Sequence, residues 1–177
     1  PRELEHQLKD SGATAIVILE NFAHTLAEVV DHTNVKHVVM ASMGDMLGFW
    51  YGQWITFAVR HLAKMVPAYE LPLTGGRQVT SFKKALAMGA RRTLQPSQAN
   101  HDSIAFLQYT GGTTGLSKGA VLTHRNIIAA TLQAEAWFTP ALAKIGDLSK
   151  ANSIAALPLY HIFALTLCLL AIRQGSH

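Results

Sequence analysis

One cysteine, Cys168, is all the chain has. No internal disulfide can staple it, and such thiol usage predicts an intracellular protein, cytoplasmic in this case. Charge is scarce as well: Lys, Arg, Asp and Glu make up 15% of the 177 residues, against 49% hydrophobic. That balance excludes a disordered chain, which lacks the apolar surface to fold. The net charge is only +4, and no dense Lys/Arg cluster builds the basic face that a nucleic-acid binder needs. Lys83-Lys84 and Arg91-Arg92 read as solvated surface, so no nucleic acid is expected as a partner. His24, His32, His37 and His61 fall at no zinc-site spacing. No signal peptide opens the chain. It begins at Pro1 and stops just after the apolar run "IFALTLCLLAIR", and we read it as a piece of something longer.

The pattern along the chain predicts an α/β fold. "PRELEHQLKD" reads as a helix with Leu4 and Leu8 on one face, stopped by Ser11-Gly12. Ala15–Leu19 is a β-branched apolar run typical of a buried strand. "NFAHTLAEVVDHT" reads as a helix with Phe22, Leu26, Val29 and Val30 on one side, and "VKHVVMA" as a second strand. This strand–helix–strand unit over 1–42 predicts a mostly parallel sheet flanked by helices. Residues 43–100 read as a helical excursion. Its "MLGFWYGQWITFAVRHLAKMVPAY" is rich in aromatics, with Gln53, Thr56, Arg60 and Lys64 on one narrow polar face. It is too interrupted for a membrane span but suits either a membrane interface or a helix packed in a larger protein. "PLTGGRQ" and "TLQPSQANHD" read as connections around a short helix. From 101 to 177 the expected order is a strand "IAFLQYT", a Gly/Thr loop, extended "GAVLT", a helix capped by Thr123, a strand "NSIAALPLYH" and an apolar helix.

"YTGGTTGLSKGAVLTHRN" (109–126) is the richest stretch. Four glycines make it costly to order, so a gain is expected, and a bound phosphate chain supplies one. Backbone N–H groups of such a loop cradle phosphates. Thr110, Thr113 and Thr114 add hydroxyls, and Lys118 adds a mobile positive charge. The stretch is neither a Walker A motif nor G-x-G-x-x-G. Gly115-Leu116-Ser117-Lys118-Gly119 does match G-x-S-x-G, and Asp147 and His161 follow in the order of a hydrolase triad. That elbow needs a strand directly before the serine and a helix directly after it, which this pattern lacks.

"YTGGTTGLSKG" resembles the signature loop of the adenylate-forming superfamily, usually Tyr-Thr-Ser-Gly-Thr-Thr-Gly-x-Pro-Lys-Gly. Gly111 and Ser117 depart from it, where serine and proline are common. "ELEHQLKDSGATAIVI", "LTHRN" and "LPLYHIFALT" resemble further segments of that family, the last its aromatic-His motif at the acyl pocket. The wording is similar to bacterial long-chain fatty-acid–CoA ligases. The resemblance implies a partial N-terminal AMP-binding domain over 1–177, the C-terminal domain being absent, with residues 101–177 carrying the phosphate loop and an acyl-channel wall. It implies activation of a long-chain fatty acid by ATP to an acyl-adenylate, then transfer to coenzyme A, with AMP and pyrophosphate released. It assigns nucleotide binding to Tyr109, Thr110, Gly111, Gly112, Thr113, Thr114, Gly115 and Lys118. Catalytic roles fall to Lys118 and His161, the acyl channel to Tyr160, His161 and Phe163, and magnesium to Thr110. The carboxylate partner of that metal, the adenine and ribose segments and the adenylation lysine are expected beyond His177. A peripheral contact on the cytoplasmic face of a membrane and a homodimer are further expectations, and residues 1–177 alone are expected to be inactive. Other classes stay open: an aryl- or amino-acid-activating ligase, and a non-catalytic nucleotide-binding or membrane-docking module.

Overall fold

Short runs of aliphatic and β-branched residues build the first sheet. β1 (Ala15–Leu19) pairs in parallel with β2 (His37–Ala41), which pairs in parallel with β3 (Gln78–Ser81), in the order β1-β2-β3. The computed structural model describes residues 1–110, 116–144, 152 and 154–176. These fall into two compact units, one built on Pro1–Pro96 together with Leu116 and Ser117, the other on the remaining described residues from Ser97 onward.

In the first unit α1 (Arg2–Asp10) and α2 (Ala23–Val29) cover the sheet. Leu8, Leu26, Val30, Val35 and Val38 form the buried cluster, with Leu4, Ile16, Ile18 and Met40 packed against it. Leu4 and Leu8 take the expected inward face. Phe22 does not: the chain makes a tight turn at Glu20–Phe22 before α2, which leaves Phe22 exposed. β3 was not expected from sequence. Arg77 explains its place, for this buried guanidinium donates to Val30 O, Val35 O and Asp31 Oδ1 and so ties the segment before β3 to the start of β2. Hydrogen bonds from Thr74 and Arg77 hold the Asp31 carboxyl below its ordinary value. α4 (Phe82–Gly89) then packs on β2 and β3.

The aromatic excursion is α3 (Phe49–Phe57), continued by wider turns over Ala58–Leu62 in which Ala63 N–H reaches back to Ala58 O at 2.8 Å. It is shorter than the sequence suggests and ends before Pro67. Its orientation is the reverse of a helix with its polar side in water. Gly52 is buried against Gly44, and a Cβ on either would collide with the other's carbonyl oxygen. Arg60 pairs with Glu20, its Nε and Nη2 both donating to Oε2, at 2.9 and 2.6 Å. Glu20 is 2% exposed. Phe49, Trp50 and Trp54 consequently face outward, Trp50 at 84% exposure.

The second unit has an antiparallel hairpin in place of parallel strands. β4 (Ile104–Thr110) pairs with β5 (Lys118–Thr123). α5 (His124–Leu142) follows at once, started by a reciprocal cap in which Thr123 Oγ1 accepts from Asn126 N–H and Asn126 Oδ1 accepts from Thr123 N–H. α6 (Ile162–Gln174) lies beside it, joined by Arg173–Glu135 at 2.8 Å. The expected strand "NSIAALPLYH" is absent among its described residues. Local turns take its backbone groups instead: Ala156 N–H bonds Ile154 O, and His161 N–H bonds Pro158 O. Pro158 has no N–H to give a ladder.

Candidate active site

β4 and β5 place the ends of the Gly/Thr loop side by side. Thr110 pairs directly with Lys118, closing the ladder at the mouth of the loop. Directly opposed residues of an antiparallel pair share a face, with Cβ atoms about 5 Å apart. A hydroxyl and an ammonium thus stand together, both exposed, where the loop begins and ends. Gln108 and its partner Ala120 continue that face one step down the ladder. Tyr109 and Gly119 lie on the opposite one. A Cβ on Gly119 would sit 3.0 Å from the Tyr109 ring, so glycine is what lets the ring cross the hairpin there.

The aromatic-His segment meets the first face. Gln108 Nε2 donates to Tyr160 O at 2.6 Å. His161 is the N-cap of α6, its Nδ1 accepting from Phe163 N–H at 3.3 Å. An accepting Nδ1 carries no proton, so the neutral ring bears its hydrogen on Nε2 and offers it as a donor. The Tyr160 and Phe163 side chains are exposed. Between the segment before α6 and α6 itself, Ile154, Leu157, Leu167, Cys168 and Ile172 line an apolar cavity of about 360 Å³. Sequence reasoning missed it, although the apolar stretch from Ile154 to Ile172 was its signal.

Thr110 and Lys118 are thus ladder partners, and Tyr160 is tied through its carbonyl to Gln108 on the same strand; His161 follows it as the cap of α6, of which Phe163 is the second residue. Gly111, Gly112, Thr113, Thr114 and Gly115 lie outside the described residues, as does Asp147. Ser117 is no hydrolase nucleophile in form. It is 7% exposed, its Oγ accepts from Gln7 Nε2 at 3.4 Å, its carbonyl meets His6 Nε2 at 2.9 Å, and a strand rather than a helix follows it. Among the described residues no group of three His, Cys, Asp or Glu could hold a metal ion. Thr110 offers one hard oxygen, which suits a magnesium ion arriving with nucleotide phosphates and not one caged by protein alone.

The whole chain, residues 1–177, matches the family model described as AMP-binding enzyme. It is 50% identical over 177 residues to a long-chain-fatty-acid–CoA ligase of Escherichia coli O157:H7, covering 99% of this chain and 30% of that protein. The same-named protein of Haemophilus influenzae is 49% identical with the same coverage. That of Bacillus subtilis is 28% identical over 166 residues. The chain thus spans 28–30% of the length of these curated relatives. Among solved structures, the A-PCP didomain of a carboxylic acid reductase from Segniliparus rugosus, in complex with AMP, superposes with a TM-score of 0.62 at 17% identity, covering 99% of this chain and 23% of that one. The adenylation domain of a carboxylate reductase from Mycobacterium chelonae gives 0.57 at 19%, covering 99% and 25%. These two likenesses bear on the fold.

Proposed function

The chain belongs to the AMP-binding enzyme family, and from that premise we propose that the full-length protein activates a long-chain fatty acid with ATP and passes the acyl group to coenzyme A. The observation that carries this is the shared face of the β4–β5 hairpin. Thr110 and Lys118 close the phosphate loop there, and Gln108 holds the Tyr160–His161 corner two residues away. Relatives about 50% identical and named long-chain-fatty-acid–CoA ligase support the choice of substrate.

In the first step a carboxylate oxygen attacks the α-phosphorus, the bond to pyrophosphate breaks, and an acyl-adenylate forms. In the second the thiol sulfur of coenzyme A attacks the acyl carbon and AMP leaves. Charge concentrates on the phosphates as pyrophosphate departs, so positioned cations and donors matter most. Lys118 neutralises that charge. Thr110 would donate its hydroxyl to a phosphate oxygen or offer its oxygen to a magnesium ion arriving with the nucleotide, which would supply charge neutralisation. The His161 Nε2–H orients the carboxylate, and the apolar cavity beyond it takes alkyl chain.

α3 adds a place for the fatty acid to be met. Its exposed Phe49, Trp50 and Trp54 suit a lipid headgroup boundary, with His61 and Lys64 close by in sequence. We place the protein in the cytoplasm, peripheral to the membrane. No helix among the described residues is long and apolar enough to cross one.

The test is AMP release by the full-length enzyme with ATP, magnesium, coenzyme A and oleate. Lys118→Ala should raise KM for ATP at least about tenfold, the loss of one charge-assisted contact, with KM for oleate within about twofold. Unchanged ATP kinetics would remove Lys118 from the phosphate site.

A further inference from the structure

We infer that Gln108 is a positioning residue for the activation step, holding the Tyr160–His161 peptide at a fixed place on the hairpin face that carries Thr110 and Lys118. This rests on the function proposed above. The peptide unit between Tyr160 and His161 has two polar groups, and both are engaged. Its carbonyl accepts from Gln108 Nε2 at 2.6 Å, and its N–H donates to Pro158 O at 2.9 Å. The plane of that peptide is therefore fixed from both sides. The imidazole beyond it is fixed in turn, because Nδ1 accepts from Phe163 N–H. One ring position, Nε2–H, is left to meet a ligand.

The contact has the character of a placement device and not of core packing. The Tyr160 side chain is 80% exposed, so it is the backbone that Gln108 grips. Proline and turns deny the described part of this segment a ladder, so a side chain supplies what a neighbouring strand otherwise would. Gln108 does so from a rigid strand, two residues before Thr110, a Cα separation of about 7 Å. A glutamine amide has the length to reach a carbonyl across that gap and the neutral charge to stand near Lys118 without competing for phosphate. The phosphate end and the acyl end of the site are thereby set against one strand. An in-line attack is sensitive to errors of about 1 Å.

The experiment compares Gln108→Met with the wild type in the full-length enzyme, measuring carboxylate-driven ATP–pyrophosphate exchange. Methionine keeps the length and loses the donor. We expect kcat to fall about tenfold or more while KM for ATP stays within about twofold and the melting temperature is unchanged. A second comparison isolates the route: Gln108→Met added to His161→Asn should cost little beyond His161→Asn alone, because both act through one imidazole. Full additivity would overturn the inference, as would a rise in KM for ATP matching the fall in kcat, or a loss of activity that tracks a loss of melting temperature. The wild-type enzyme reports separately on the function. If a different carboxylate drives its exchange, the substrate is reassigned and the Gln108 comparison is made with that acid.

Discussion

His161 does two jobs that an alanine substitution would confuse. It caps α6 through Nδ1, and in the proposed reaction its Nε2–H orients the carboxylate. Asparagine is a good cap and has no imidazole, so the two jobs can be separated. His161→Asn should leave stability within about 0.5 kcal/mol of wild type, whereas His161→Ala should lose about 1 kcal/mol with the cap. Both should lower fatty-acid-dependent turnover by about 100-fold, the usual worth of a positioned proton donor. Denaturant melts with steady-state kinetics check this. Full activity in His161→Asn would reduce the residue to a helix cap. The sequence pointed to His161 by its place after "LPLY". It did not disclose Gln108, which is one more polar residue in a strand pattern until the fold brings Tyr160 to it.

α3 shows why an element's polar stripe does not settle its orientation. Thr56 and Arg60 read as a solvated face, yet Arg60 turns to buried Glu20 and Gly52 lets the backbone touch Gly44. A buried carboxylate needs its partner more than an aromatic ring needs burial. Removing the partner of a buried charge costs about 3 kcal/mol or more, a figure reduced here because Arg60 is half exposed. Arg60→Ala should therefore lower the stability of the full-length protein by about 2 kcal/mol in denaturant melts. Replacing Phe49, Trp50 and Trp54 by serine should do the opposite in kind: sedimentation with anionic liposomes falls while the melting temperature holds. Unchanged sedimentation with a lowered melting temperature would make the aromatic face an internal contact.

Across the molecule, the legible parts are those fixed by local pattern. β1, β2, β4, α1 and α6 follow their apolar periodicity, and Thr123 starts α5 where its side chain can cap. β3 was hidden because "QVTS" is short and polar, and it is held by Arg77 from outside the strand. The antiparallel hairpin was hidden because strand direction is a tertiary property. The segment before α6 carried a strand composition and forms turns because of Pro158. The resemblance around "YTGGTTGLSKG" identified the family, and the fold then added what no motif states: Thr110 opposes Lys118, and Tyr160 is tied to the same strand. The central claim is that this shared face joins a phosphate site to an acyl site. It is tested most directly by ATP–pyrophosphate exchange in the full-length protein without coenzyme A, run over carboxylates of rising chain length. Exchange should be driven by long-chain fatty acids and fall steeply for short ones, and it should be weak with benzoate or amino acids. Exchange driven chiefly by an aryl or amino acid, or none with any carboxylate, would contradict it.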